Sequence, residues 1–231
     1  MKILGIVGGI APESTVEYYR ALVAAWRERV PDGSTPPIVV DSIDMKEMLD
    51  LIAANRMREV ADYLLAELER LARAGAELAL LASNTPHVVF DDLRARSPVP
   101  LVSIVEAACG AAEGLRVRKV GLFGTRFTMQ GRFYPEVFSR RGIALAVPGP
   151  ADQAYIHDKY MGELVKGVFL DETRAGLLAA VDRLKAAEGI EALVLGGTEL
   201  PLILRDPAGR GIPFLDTTRI HVSRVVAEWL S

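Results

Sequence analysis

The sequence predicts an α/β protein made of two pseudosymmetric domains, each a parallel four-stranded sheet flanked by helices. Three observations carry this expectation. Short β-branched or leucine-rich runs alternate with longer stretches of helical periodicity, the pattern of parallel sheets covered by helices. The runs are continuous rather than alternating in polarity, as suits strands buried on both faces. Their spacing repeats once along the 231 residues: runs beginning near 3, 38, 78 and 101 are echoed near 119, 144, 192 and 214.

In chain order, strands are expected at Ile3–Val7, Ile38–Ser42, Leu78–Ala82, Leu101–Ile104, Lys119–Phe123, Ala144–Val147, Ala192–Leu195 and Phe214–Leu215. Between them, helices are expected near Ser14–Arg29, Arg56–Ala74, Val105–Leu115, Met129–Arg140, Glu172–Ala187 and Ile220–Trp229. Half of the residues are hydrophobic, enough for two substantial cores. The expected division is an N-terminal α/β domain of residues 1–98 plus 209–231, closed by the C-terminal helix, and a second α/β domain of residues 99–208. Open parallel sheets bind ligands beyond the carboxyl ends of their strands, so an active site in the crevice between the domains is expected.

Charge is nearly balanced, with 27 Lys and Arg against 30 Asp and Glu and a net charge of −3. Such a chain advertises no basic face for nucleic acid or an anionic membrane, and a small ligand fits better. The first apolar run is too short for a signal-peptide core or a membrane span, which makes a cytoplasmic location the expectation. A single cysteine, Cys109, forms no intramolecular disulfide and is too little for a cysteine-rich zinc site. The three histidines, His87, His157 and His221, show no HExxH spacing, so no metal is expected.

Polar groups gather where the apolar runs stop. After the first run, Gly8-Gly9-Ile10-Ala11-Pro12-Glu13-Ser14-Thr15 permits a tight turn, with Ser14 or Thr15 capping the next helix and amides near Gly9 open to an anion. The string is neither GxGxxG nor GxxxxGK[ST], which leaves little for a nucleotide. After the third run, Ser83-Asn84-Thr85-Pro86-His87 places an amide, hydroxyls and an imidazole beyond a buried strand. These groups either contact a ligand or cap the following helix. The symmetry-related run ends in Gly196-Gly197-Thr198-Glu199, and its polar ending favours the ligand reading for both. Thr125 and Thr128, in Gly124-Thr125-Arg126-Phe127-Thr128-Met129, cap a helix, bind a carboxylate, or do both.

Other segments are ambivalent. His157 and Lys166 either cover the crevice as a lid or belong to a solvated amphipathic helix, and Asp44 and Lys46 share that ambiguity. Asp216-Thr217-Thr218 precedes the last helix and suits an N-cap as well as catalysis. His221 and Cys109, in helical surroundings, are expected to pack rather than react.

Taken together, these segments resemble the cofactor-independent aspartate/glutamate racemase family over nearly the whole chain. The likeness runs through Gly-Gly-x-x-Pro-x-Ser-Thr at 8–15, Asn-Thr-x-His at 84–87 and Gly-Thr-x-Phe-Thr-Met at 124–129. It continues through Glu-Leu-x-x-Gly at 163–167, Leu-Gly-x-Thr-Glu at 195–199 and Asp-Thr-Thr at 216–218. The resemblance implies a dimer that holds an acidic amino acid while two cysteines flank its α-carbon, one removing a proton and the other delivering one to the opposite face. Two opposed groups are needed because a single base returns the proton where it found it.

Here Ser83 and Gly197 stand at the two cysteine positions, so a two-thiol mechanism is not available. Proton handling is expected of Ser83, His87 and Glu199, with His87 activating Ser83 and Gly197 leaving space on the second face. Substrate contacts are expected from Gly9, Ser14, Asn84, Thr85, Thr125, Thr128, Lys166 and Thr198. The resulting expectation is an amino-acid racemase or isomerase with a non-standard acid/base pair, needing no pyridoxal phosphate, nicotinamide, flavin or metal. The alternatives are one-sided chemistry at the α-carbon, such as a decarboxylase or lyase, and an inactive carboxylate-binding homologue.

Overall fold

The computed structural model describes residues 2–204 and 210–231. In chain order the elements are β1 (Leu4–Gly8), α1 (Pro12–Arg29), β2 (Ile38–Ser42), α2 (Met45–Ala53), α3 (Met57–Arg73), β3 (Leu78–Leu81), α4 (Phe90–Arg96), β4 (Leu101–Val102) and α5 (Ile104–Gly114). They continue with β5 (Lys119–Gly124), α6 (Arg126–Gln130), α7 (Phe133–Ser139), β6 (Ala144–Ala146), α8 (Pro150–Gly162), α9 (Asp171–Glu188), β7 (Ala192–Gly196), α10 (Leu200–Ile203), β8 (Phe214–Asp216) and α11 (Thr217–Trp229).

Two parallel four-stranded sheets form, in the orders β2-β1-β3-β4 and β6-β5-β7-β8. The same topology therefore occurs twice, as the repeated spacing predicts. Two compact units follow, residues 1–104 with 221–231, and residues 105–220. Strand pairing differs from the expected division at 98/99, because β4 pairs with β3 and so belongs to the first sheet. The other expected boundary, at 208/209, lies outside the described residues.

In the first unit, β1 is buried along its whole length, and α3 turns Val60, Leu64, Leu68 and Leu71 inward at helical spacing. A core of Leu4, Ile6, Tyr18, Leu22, Trp26, Leu78 and Leu80 is completed by Val222, Val225, Val226 and Trp229 of α11. The rings of Trp26 and Trp229 lie 4.8 Å apart, and the Trp229 indole donates to the Lys2 carbonyl at 2.7 Å. In the second unit, β7 is buried throughout, and Leu177, Val181 and Leu184 of α9 pack with Phe123, Leu193 and Leu195.

The single helix expected near 129–140 is divided into α6 and α7. Gly131, in extended backbone, closes α6, and a β-carbon there would stand 2.6 Å from the Phe127 carbonyl oxygen. Helix α10 adds to the expected set, α4 is the helix expected beyond Pro86, and α2 and α8 are the helical alternatives for the segments of Asp44 and His157. No helix among the described residues is long and apolar enough to cross a membrane.

Candidate active site

At the end of β1 the chain turns through Gly9, whose φ of +84° suits glycine. A β-carbon there would meet the Ile43 carbonyl oxygen at 2.4 Å. The helix that follows departs from expectation. Its N-cap is Ala11, with Pro12 in the first turn and no side-chain cap. Ser14 lies inside α1, 1% exposed, while the Thr15 hydroxyl accepts the Gly9 N–H at 2.8 Å. Thus neither Ser14 nor Thr15 caps α1, and the Gly9 amide is engaged within its own turn rather than open to an anion.

Beyond β3, Ser83, Asn84, Thr85 and His87 are all buried. Thr85 begins a short 3-10 turn, Thr85–Val89, with Pro86 in its first turn and no side-chain cap from Asn84. His87 is held on both sides by backbone: the Ile104 N–H donates to Nε2 at 3.2 Å, so Nδ1 carries the proton and donates to the Ser83 carbonyl at 3.1 Å. The ring stacks on Phe90, with centroids 4.7 Å apart. Burial, reinforced by His221, pulls its pKa down to about 3. The imidazole is consequently neutral, and neither nitrogen is turned to the Ser83 hydroxyl. Activation of Ser83 by His87 is therefore corrected: His87 locks the strand end to the start of α5.

In the second unit, β5 and β7 pair so that Gly124 lies beside Gly196. Thr125 is the N-cap of α6, its hydroxyl accepting the Thr128 N–H at 3.3 Å and lying 3.2 Å from the Thr128 hydroxyl. Thr128 itself is fully buried, and its side chain packs where a β-carbon on Gly124 or Gly196 would intrude. Sequence reasoning left capping and carboxylate binding open for this pair, and the geometry accounts for the capping.

Position 197 carries the larger surprise. A β-carbon on Gly197 would lie 2.4 Å from Tyr160 Cε2, 2.8 Å from its hydroxyl oxygen and 2.9 Å from Cζ. Tyr160, on α8, thus fills the space expected to be open, and the expectation of a vacant second face is corrected. Its phenol donates to Glu199, and the Thr198 hydroxyl donates to the same carboxylate oxygen at 3.1 Å. Tyr160 and Glu199 are 5% and 1% exposed, respectively. Burial, and then the charge of Glu199, push the phenol pKa well above its ordinary value, so the phenol keeps its proton. Sequence reasoning missed Tyr160. A bare glycine at an otherwise polar strand end was the available signal, and it pointed to no particular partner.

The remaining candidates divide between structural work and exposure. His157 accepts the Arg126 N–H at Nδ1, 3.2 Å away, tying α8 to the start of α6, and burial lowers its pKa. Lys166 is exposed at the end of a 3-10 turn, Leu164–Lys166. Asp44 caps α2 by accepting the Lys46 N–H at 2.8 Å, and the Lys46 ammonium pairs with Asp50. Asp216 caps α11, accepting the Arg219 N–H at 3.0 Å, and burial raises its pKa. The Thr217 hydroxyl donates to the Leu195 carbonyl at 2.7 Å. His221 donates to the Val102 carbonyl through Nε2 and accepts from the Tyr18 hydroxyl at Nδ1, 2.8 Å away. Cys109 is buried, its thiol pushed up by burial. A groove of about 740 Å³ on the first unit, lined by Asp44, Asp50, Arg56, Glu59 and Tyr63 among others, includes none of the strand-end motifs. Among the described residues no group of three His, Cys, Asp or Glu side chains is placed to hold a metal ion.

The arrangement invites comparison with known proteins. The family model for Asp/Glu/hydantoin racemases matches residues 7–225. This chain belongs to the Asp/Glu/hydantoin racemase family. Among solved structures, a Yersinia pestis protein provisionally described as an Asp/Glu racemase superimposes on this family member with a TM-score of 0.90 and 30% identity, each chain covered in full. An aspartate racemase homologue from Pyrococcus horikoshii does so with a TM-score of 0.85 and 32% identity, again over 100% of both chains. A glutamate racemase from Corynebacterium diphtheriae is 30% identical over 148 residues, 63% of this chain and 53% of the relative. This racemase-family chain thus matches only about half the length of that relative.

Proposed function

We propose that this protein is a cofactor-independent isomerase of a small amino or carboxylic acid, in the simplest case an amino-acid racemase with a non-standard acid/base pair. The carrying observation is that the third strand of each sheet, β3 and β7, ends in a buried set of polar side chains: Ser83, Asn84 and Thr85 on one, Thr198 and Glu199 on the other. Buried hydroxyls and amides of this kind meet a carboxylate and stabilise the enolate-like charge that forms when an α-proton leaves. Family membership makes isomerisation the economical reaction class. Asn84, Thr85, Thr125 and Thr198 are assigned to the substrate, with Lys166 as the exposed cation of the set. Ser83 is the proton-handling hydroxyl of the first unit. A homodimer belongs to the same reading and is checked by light scattering.

The test is incubation in heavy water with each enantiomer of aspartate and glutamate, following α-proton loss by NMR and configuration by chiral chromatography. Exchange with inversion is the expected result. Exchange that retains configuration would instead indicate a one-sided enzyme. Thermal stabilisation by these acids without any exchange would indicate a carboxylate-binding homologue, and no response to any of them would remove the substrate class.

A further inference from the structure

The strand end after β7 has no side chain at Gly197, yet a group with an exchangeable proton stands where one would be. Three atoms of the Tyr160 phenol, its oxygen among them, lie within 2.9 Å of the point a β-carbon on Gly197 would occupy. The phenol is not loosely placed: it donates to Glu199, whose acceptor oxygen also takes the Thr198 hydroxyl. Both partners are almost wholly withdrawn from water. Residue 197 and Tyr160 are thus alternatives for one volume, and this chain has chosen the phenol.

We propose that Tyr160 and Glu199 form the proton relay of the second unit, taking the role that a side chain at position 197 would otherwise have. The inference rests on the isomerase reading above. In one direction the Cα–H bond of the substrate breaks and its electron pair remains as an enolate delocalised into the substrate carboxylate. The proton bonds to the Tyr160 oxygen as the phenol's own proton passes to Glu199, neutralising that carboxylate. In the other direction Glu199 returns its proton to Tyr160 as Tyr160 delivers one to the carbanion. Each bond broken is matched by one formed, and no free phenolate accumulates, in keeping with a phenol whose ionisation is strongly disfavoured. A relay that both accepts and donates is what a reversible isomerase needs and what a phenol alone at neutral pH lacks.

The experiment measures α-proton exchange in heavy water for the full chain and for Tyr160→Phe and Glu199→Gln, with each enantiomer of aspartate and glutamate. Removing the hydroxyl while keeping the ring is expected to lower exchange by about 100-fold or more with KM within threefold. Glu199→Gln is expected to fall comparably, and the double variant no further, because members of one relay are not additive. Fluorotyrosine at position 160, which acidifies the phenol with little change of shape, is expected to move the pH–rate profile toward lower pH. It also keeps the test available if Tyr160→Phe fails to fold. Exchange by Tyr160→Phe within threefold of wild type, or a profile that fluorotyrosine leaves in place, overturns the relay while the isomerase reading stands. Absence of exchange by the wild type with every acid overturns that reading and the relay together.

Discussion

Gly197 and Tyr160 compete for one volume: a β-carbon on the glycine would stand 2.4 Å from the tyrosine ring. Any side chain at 197 therefore forces a buried, hydrogen-bonded aromatic to move. Introducing a cysteine there is a steric problem before it is a chemical one. Gly197→Cys alone is expected to destabilise by about 1–3 kcal/mol, the usual cost of overpacking a core. Tyr160→Ala alone is expected to cost about 3–5 kcal/mol through its cavity. The double variant should cost less than the sum by at least about 1 kcal/mol, since the thiol enters the space the ring vacates. Urea denaturation of the four proteins measures this, and strict additivity would mean that the two residues do not share the space.

Ser83 faces no such obstacle. It is 7% exposed and already carries a side chain, so a thiol there enlarges one atom rather than adding a side chain where none stands. Ser83→Cys exchanges an alcohol for a thiol whose unperturbed pKa, near 8.5, lies far closer to neutrality. Exchange of the α-proton should rise by about tenfold or more, with Gly197 and Tyr160 untouched. An unchanged rate in the heavy-water assay would place Ser83 outside the proton path.

The sheets and the strand-end motifs were legible in the sequence because both are local. Continuous apolar runs such as Leu78–Leu81 and Ala192–Gly196 announce buried strands, and the residues just after them necessarily stand at the sheet's carboxyl edge. What stayed hidden were meetings of side chains from different elements. The partner of His87 is the Ile104 amide, 17 residues away, and the neighbour of Gly197 is a tyrosine on α8. Spacing along the chain carries no record of which rotamer fills a gap. For that reason His87 looked free to activate Ser83, and position 197 looked empty.

Gly9 and Gly33 separate two costs that glycine substitutions usually mix. Both have positive φ, +84° and +82°. A β-carbon on Gly9 would strike the Ile43 carbonyl oxygen at 2.4 Å, whereas nothing lies within 4 Å of one on Gly33. Gly33→Ala is expected to cost about 1–2 kcal/mol, the left-handed penalty alone. Gly9→Ala should cost more, because the turn joining β1 to α1 must also move away from Ile43. Equal losses in thermal denaturation would show that the turn yields freely.

The buried titratable groups of the first unit predict an uneven response to acid. Burial holds His87 down to about 3 and His221 to about 4, while each takes up a proton near 6.5 once unfolded. Between those limits the unfolded chain binds more protons, so the stability these histidines confer is present above 6.5 and lost as pH falls. Glu67 works in the opposite sense. Burial and the adjacent Asp41 carboxyl raise it to about 7 from an ordinary 4.5, against the pull of Arg70. Over that interval the folded chain holds a proton the unfolded chain has released, and stability falls as pH rises. From 4.5 to 6.5 the two histidines and Glu67 therefore pull in opposite directions. Glu67→Gln removes the opposing group, so its stability should fall more steeply than that of the wild type as pH is lowered from 6.5 to 4.5. Urea unfolding at half-unit steps from pH 4 to 7.5 compares the two proteins, and parallel curves above 4.5 would mean that Glu67 titrates alike in the folded and unfolded chains.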